Sequence, residues 1–259
     1  MSVPILVMGV AGRMGSTVAR LVGEAGDLTL AAVVEQSGVD LARFGYDCLM
    51  GNNIEEILPQ CPKAVVVDFT NPEASLAAAG CAVRHGSPMV IGTTGFNPEQ
   101  RRKLEEYARV SPLFWSPNMS VGVNVVLKVL PELIRLLGDP YDIDIVELHH
   151  NRKKDAPSGT ALRFAECVAE AKNWNLAETG CYHREGIIGE RPRREIGVQT
   201  VRGGDIVGVH TLYFMGPGER IEFTHHAHSR ENFAQGALRA ARWMTSAKPG
   251  KLYAMHDVL

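Results

Sequence analysis

The segment ELHHNRKKDAPSGTA, residues 147–161, concentrates the residue types that do chemistry. His149 and His150 are adjacent, and Arg152, Lys153 and Lys154 follow at once. Asp155, Pro157 and the triplet Ser158-Gly159-Thr160 complete the segment. An imidazole can donate a proton near neutral pH. Lys153 and the backbone N–H groups of Ser158, Gly159 and Thr160, where a helix opens, can hold a carboxylate. The chemistry implied is a small-anion site with a proton donor beside it. A chelated metal fits less well. Residues 142–148 read as a strand, and neighbouring strand residues point to opposite faces, so the two histidines should diverge. No Cys, Asp or Glu stands at ligand spacing, and no metal is expected. A nucleic-acid patch wants cations interleaved with aromatics, and residues 149–163 contain no aromatic. The plain alternative is a solvated basic loop with one core histidine. Strand geometry alone leaves open which of His149 and His150 looks into a cleft.

A second set lies at the start of the chain. Gly9-Val10-Ala11-Gly12-Arg13-Met14-Gly15 follows an apolar run and opens a helical pattern. Such a loop is either a tight strand-to-helix turn or a pyrophosphate cradle, where bare backbone and a helix N-terminus meet the anion. Glu35 ends the next strand, where a carboxylate accepts hydrogen bonds from an adenosine ribose. The pair of signals points to a dinucleotide. A carboxylate at 35 repels the 2′-phosphate of NADP. Gln36 is uncharged, and Arg13 is the one obvious cation nearby. NADH is therefore expected to be preferred and NADPH to serve more weakly.

The elements that must position these residues alternate. Strands are expected at 3–8, 28–35, 64–68, 88–91 and 113–116, with helices at 13–25, 72–86 and 98–109. Asn71 reads as a helix N-cap with Pro72 at the first position. A short helix fits near 54–58. This is the pattern of an α/β, Rossmann-like doubly wound parallel sheet over residues 1–119. Its ligands belong at the carboxyl edge of the strands, at Gly9–Gly15, Glu35, Phe69–Thr70, Gly92–Gly95 and Ser116–Met119. From residue 120 the texture changes to an α+β domain, 120–259, with a mixed or antiparallel sheet. It should hold helices at 121–137, 160–172 and 231–244 and strands at 142–148, 196–202, 206–214 and 219–225. Residues 173–195 read as loop, and Ser229 as the N-cap of the last helix.

Bulk properties exclude several classes. The chain has 259 residues, 45% hydrophobic and 22% charged, with a formal net charge of −2. That balance offers no global field to a nucleic acid or an anionic membrane. The apolar stretch 121–137 is interrupted by Asn124, Lys128, Pro131, Glu132 and Arg135 and is no membrane span. The start, MSVPILVMGVAG, is too short an apolar run, without a basic leader, to be a signal peptide. Five scattered cysteines form no C-x-x-C pair, which fits a reducing cytoplasm. His225, His226 and His228 read as structural or interdomain rather than as a metal site. The Arg-rich run 184–202 reads as a solvated or intersubunit loop, and no role is assigned to it.

The blocks GVAGRMG, VVVDFTNPEA, VIGTTGF, SPNMSVGVN, ELHHNRKKDAPSGTA and RGGDIVGVHTLYFMGPGERIEFTHHAHSRENFAQGALRAARW span essentially the whole chain. Together they resemble the 4-hydroxy-tetrahydrodipicolinate (dihydrodipicolinate) reductase family of the diaminopimelate route to lysine. HH-x-x-K-x-DAPSGTA is the most specific block. The resemblance implies that Gly9, Val10, Ala11, Gly12, Arg13 and Met14 bind the pyrophosphate and Glu35 the ribose. It implies that Gly92, Thr93, Thr94, Ser116, Pro117, Asn118 and Met119 line the nicotinamide side. By the same resemblance His149 is the proton donor, Lys153 its catalytic partner, and His150, Ser158, Gly159 and Thr160 bind a small cyclic dicarboxylate. It further implies a homotetramer and a last helix, about 231–244, that packs back on the first domain. Many members carry Arg directly after the acidic residue of strand two. Gln36 departs from this, in agreement with the electrostatic preference for NADH. The alternatives are another small-substrate dehydrogenase, of aspartate or homoserine type, and a dinucleotide-binding regulatory protein without turnover.

Overall fold

The structure, a computed structural model, describes residues 2–259. Along the chain, β1 (Val3–Met8) is followed by α1 (Arg13–Glu24), β2 (Leu28–Val34) and β3 (Leu49–Gly51). Next come α2 (Ile54–Ile57), β4 (Val65–Asp68), α3 (Pro72–His85), β5 (Met89–Ile91), α4 (Pro98–Ala108) and β6 (Leu113–Trp115). Then follow α5 (Val121–Leu137), β7 (Asp142–His149), α6 (Gly159–Lys172), α7 (Leu176–Thr179) and β8 (Gly180–Cys181). β9 (Ile196–Arg202), β10 (Gly208–Gly216), β11 (Glu219–Ala227), α8 (Glu231–Met244), β12 (Leu252–Tyr253) and α9 (Met255–Val258) close the chain.

Residues divide into two compact units, 1–121 with 230–259, and 122–229. The first holds a parallel seven-stranded sheet in the order β12-β6-β5-β4-β1-β2-β3. Its central strands are continuous apolar runs because both faces are covered. Ile5 and Val7 of β1 face a core shared with α1 and α8, while Leu6 and Met8 face one shared with α3 and α4. Asn71 caps α3 by accepting from the Ala74 N–H at 3.0 Å, with Pro72 in the first turn. Asn97 and Gln100 form a reciprocal capping box on α4. Such caps make the strand-to-helix turns abrupt and fix the loops at the sheet's carboxyl edge.

The second unit is built on a mixed sheet in the order β11-β10-β7-β9-β8. β10 pairs antiparallel with β7 and β11, whereas β9 pairs parallel with β7 and β8. α5 and α6 cover one face through Val123, Leu130, Ile134, Phe164 and Val168. That face presents Ile143, Ile145, Glu147 and His149 from alternate positions of β7, all buried. Val146, Leu148, Tyr213 and Met215 point to the opposite face and stay half-buried. Among the described residues no helix is long and apolar enough to cross a membrane.

Several expectations from sequence need correcting. Ser229 is not the N-cap of α8: Arg230 stands there, already in a right-handed helical conformation and with no side-chain cap. Residues 173–195 are not all loop, since they hold α7 and β8. The Arg-rich run is not simply solvated. Arg184 and Arg191 close on Asp144 with contacts of 2.7 and 2.6 Å, and both also reach Glu195. Burial works against charge on Asp144, but the two guanidinium groups hold its carboxyl below the usual range.

Candidate functional site

In the first unit the carboxyl edge of the sheet brings the expected loops together. Gly9 donates its N–H to Val34 O at 2.8 Å, and Gly12 donates to Gly9 O at 2.9 Å, which curls the loop onto the start of α1. A Cβ at Gly15 would stand 2.1 Å from Gly9 O, so only glycine lets helix and loop approach this closely. No side chain caps α1. Glu35 lies beside the loop: Oε2 accepts from the Ala11 N–H at 2.7 Å and Oε1 from the Gln36 N–H at 2.8 Å. Arg13 and Gln36 are exposed. An uncapped helix start, a bare loop and a fixed carboxylate fit a dinucleotide.

A cavity of about 250 Å³ opens at the same edge. Met14, Gly92, Pro117 and Met119 line it, all four expected from sequence. Phe69, Arg230 and Phe233 complete the lining. The last two were missed as site residues. They lie at the start of α8, and no local pattern ties that helix to loops far earlier in the chain. Gly236 of α8 explains the closeness: a Cβ there would stand 1.8 Å from Met119 O.

Some expected residues face inward. Thr93 is buried, and its hydroxyl reaches Ser75 Oγ at 2.8 Å and Asp68 Oδ2 at 3.3 Å. Asp68 ends β4 fully buried and also accepts from Thr70 N–H at 3.0 Å and Thr70 Oγ1 at 2.6 Å. Burial pushes the Asp68 carboxyl up, against hydrogen bonds from Ser75, Thr70 and Thr93. Thr93 O accepts from Trp115 Nε1 at 2.9 Å. Ser116 Oγ is turned to Asn118 O at 2.8 Å, and Asn118 Oδ1 accepts from Ser120 N–H at 2.9 Å. These side chains shape the edge, while Thr94 and Pro117 are exposed on it.

In the second unit the polar end of β7 forms a network under the start of α6. His149 Nδ1 stands 2.5 Å from Glu147 Oε2. Arg202, the last residue of β9, donates from Nη1 to Oε2 and from Nη2 to Oε1 of Glu147, both at 2.8 Å. Ser158 N–H donates to Glu147 Oε1 at 2.9 Å, and Thr200 Oγ1 reaches it at 3.2 Å. Burial alone would push this carboxyl up. Hydrogen bonds from His149, Arg202 and the Ser158 amide overcome that and hold it well below the usual carboxylate range. The His149 ring meets His210 edge to face at 5.1 Å between centroids. His210 Nε2 pairs with Ser158 Oγ at 2.9 Å. Burial, with help from His149, pushes His210 down to about 3, so it is neutral.

Strand parity separates the two histidines. His149 shares the covered face with Ile143 and Ile145, whereas His150 lies past the strand end, half-buried, its N–H on Ile206 O at 2.8 Å. Lys153 Nζ pairs with Asp155 Oδ1 at 2.9 Å. Ser158 is the N-cap of α6, but its amide goes to Glu147 and its hydroxyl to His210 and Ala161. Of the three amides expected to hold a carboxylate, that of Ser158 is thus already taken by Glu147. Glu147 and Arg202 were missed: an acid in a strand and an arginine in a basic run read as solvent-facing until register pairs their strands. Among the described residues the one metal-capable group is Glu55, Cys81 and His85, in the first unit. Glu55 is paired with Arg84 there, and burial pushes the Cys81 thiol up to about 11, which disfavours the thiolate a metal needs.

Two family models divide the chain by sequence near residue 120, whereas residues 230–259 pack in the first unit. The family model described as dihydrodipicolinate reductase, N-terminus, matches residues 3–119, and that for the C-terminus matches residues 122–259. The 4-hydroxy-tetrahydrodipicolinate reductase of Nitratidesulfovibrio vulgaris (strain DP4) is 66% identical, with 100% of both chains covered. That of Oleidesulfovibrio alaskensis is 59% identical, again over 100% of both. Among solved structures, the dipicolinate-bound dihydrodipicolinate reductase from Paenisporosarcina sp. TG-14 superposes with a TM-score of 0.80 over 100% of both chains at 24% identity. Aspartate dehydrogenase from Thermotoga maritima shares the fold at a TM-score of 0.50 and 12% identity. Two matched halves and relatives alike from end to end leave one assignment: this chain belongs to the dihydrodipicolinate reductase family.

Proposed function

We propose that the chain reduces 4-hydroxy-tetrahydrodipicolinate to tetrahydrodipicolinate in the diaminopimelate route of lysine biosynthesis, with NADH as the preferred reductant. The observation that carries this reading is the pairing of His149 with buried Glu147 beside Lys153 and the start of α6. The similarity to reductases of that name supplies the substrate. When bound, the nicotinamide dinucleotide supplies a hydride to the substrate ring. With the hydride and one proton added and one water lost, the reaction balances.

The chain's own residues do the rest. Gly9, Val10, Ala11, Gly12, Arg13 and Met14 bind the pyrophosphate, and Glu35 the ribose. Gly92, Thr93, Thr94, Ser116, Pro117, Asn118 and Met119 shape the nicotinamide side, with Phe69, Arg230 and Phe233 around the cavity. Lys153 leaves Asp155 for a substrate carboxylate, and Gly159 and Thr160 hold a carboxylate at the first turn of α6. His150 contacts the substrate, and His149 gives the proton to the ring carbon of the enamine-like intermediate. Ser158 serves the site from below, through Glu147 and His210.

We also propose a homotetramer joined through the open face of the five-stranded sheet. Val146, Leu148, Val209, Tyr213 and Met215 on that face support it. A cytoplasmic location fits the five free cysteines. The decisive assay is NADH oxidation with freshly made 4-hydroxy-tetrahydrodipicolinate, repeated with NADPH. Tight NADH binding with no oxidation would refute the enzymatic reading, and sedimentation at any mass but four chains would refute the tetramer.

A further inference from the structure

We infer that Glu147 is a positioning residue that fixes which nitrogen of His149 exchanges the proton. The inference rests on the proposed role of His149 as proton donor. Glu147 is fully buried and ionised, gripped by both terminal nitrogens of Arg202 at 2.8 Å and by the Ser158 amide at 2.9 Å. Such a carboxylate is an acceptor alone, so the His149 nitrogen 2.5 Å away must carry hydrogen. That nitrogen is Nδ1. The protonated ring then has one proton to give, at Nε2. On transfer the Nε2–H bond breaks, its electron pair stays on Nε2, and the proton forms the new C–H bond of the substrate. The neutral ring keeps Nδ1–H on Glu147 throughout, and Nε2 regains its proton from water.

A second feature marks Nε2 as the working nitrogen. Gly208 opens β10 beside it, and a Cβ at that position would stand 3.0 Å from Nε2. The bare glycine leaves that nitrogen uncrowded, where any side chain would press on it. His210 adds the third constraint, since its neutral ring lies against His149 edge to face and is itself tied to Ser158. Ring plane, tautomer and access are thus set by Glu147, His210 and Gly208, none of which need touch substrate.

The test is 15N NMR of histidine-labelled enzyme, with the His149 signals identified by their loss in His149→Asn. Wild type should show neutral His149 as the Nδ1–H tautomer, and an Nε2–H tautomer would overturn the inference. Glu147→Gln should lower kcat about 10-fold or more, with KM for substrate and Kd for NADH within about twofold of wild type. Placed in a His149→Ala background it should lower kcat no further, and independent, multiplying losses would overturn a role through His149. Gly208→Ala should lower kcat likewise. If Glu147→Gln does not fold, the wild-type tautomer and Gly208→Ala still decide. Full turnover by His149→Ala would remove the underlying reading of the acid. Impaired His149→Ala with unimpaired Glu147→Gln would remove the positioning role alone.

Discussion

Oε2 of Glu35 accepts a hydrogen bond from the Ala11 N–H at 2.7 Å, so the acid that ends β2 is tied to the glycine loop that follows β1. Its other oxygen takes the Gln36 N–H at 2.8 Å. Two backbone donors hold the negative charge in place, and a 2′-phosphate brought to this strand end meets it directly. NADH should therefore give the higher kcat/KM. Gln36→Arg places a cation next to the fixed acid and should raise kcat/KM for NADPH about 10-fold or more, the worth of one charged hydrogen bond of roughly 1.5–3 kcal/mol. Steady-state kinetics with both cofactors checks it. A wild-type preference for NADPH would show that Arg13 or the loop amides outweigh Glu35.

Lys153 makes a different kind of prediction. Its Nζ rests on Asp155 at 2.9 Å, with the lysine side chain 20% exposed and the aspartate 60% exposed. An exposed partner is easily exchanged for a substrate carboxylate. Lys153→Met should raise KM for the dicarboxylate about 10-fold or more, since a hydrogen bond to a charged group is lost. NADH binding, a property of the other unit, should be unaffected in a fluorescence titration. Equal loss of both would mean that the substitution damaged the fold.

The contrast between these two sites shows what a sequence can disclose. Periodicity delivers β1, α5 and α8 with their bounds, because each buries one face or both in a regular repeat. It does not deliver β12, two residues made a strand by pairing with β6. The glycine loop and Glu35 are legible because spacing along one β-α-β stretch fixes them. Arg230 and Phe233 are not, since tertiary packing of α8 brings them to the cavity. The adjacent histidines stay ambiguous until β7 has a covered face. Glu147 then follows His149 by parity, but its burial depends on Arg202, which only the β7–β9 register supplies.

His210 predicts a pH dependence of stability. Its ordinary value of 6.5 is lowered to about 3 in the folded state by burial first, then by His149. A histidine held neutral in the fold leaves the unfolded chain binding more protons below pH 6.5. The stability it allows is present above that pH and is lost as pH falls from about 6.5 toward about 3. Between pH 7 and pH 5 the loss from this one group should be about 2 kcal/mol. Glu147 titrates lower, so it does not contribute in that window. Urea denaturation at the two pH values should show His210→Gln losing about 1–2 kcal/mol less than wild type. Equal losses would mean that His210 is charged in the fold.

Gly236 connects stability with the cofactor cavity. It lies in the middle of α8, where glycine weakens a helix by about 1 kcal/mol relative to alanine. Its presence is explained by Met119, whose carbonyl oxygen would stand 1.8 Å from a Cβ at that position. Backbone cannot yield as a side-chain tip can, so Gly236→Ala must push α8 and the Ser116–Met119 segment apart. Met119 from that segment and Phe233 from α8 line the same cavity. The substitution should thus destabilise by about 1–3 kcal/mol, despite the better helix propensity of alanine. It should also raise the Kd for NADH, read by fluorescence titration at a temperature well below the lowered Tm. Gly23, on α1 with open space around its Cβ position, is the control: Gly23→Ala should leave NADH binding unchanged and raise Tm slightly. A Gly236→Ala protein as stable as wild type would show that α8 can retreat from Met119 at no cost.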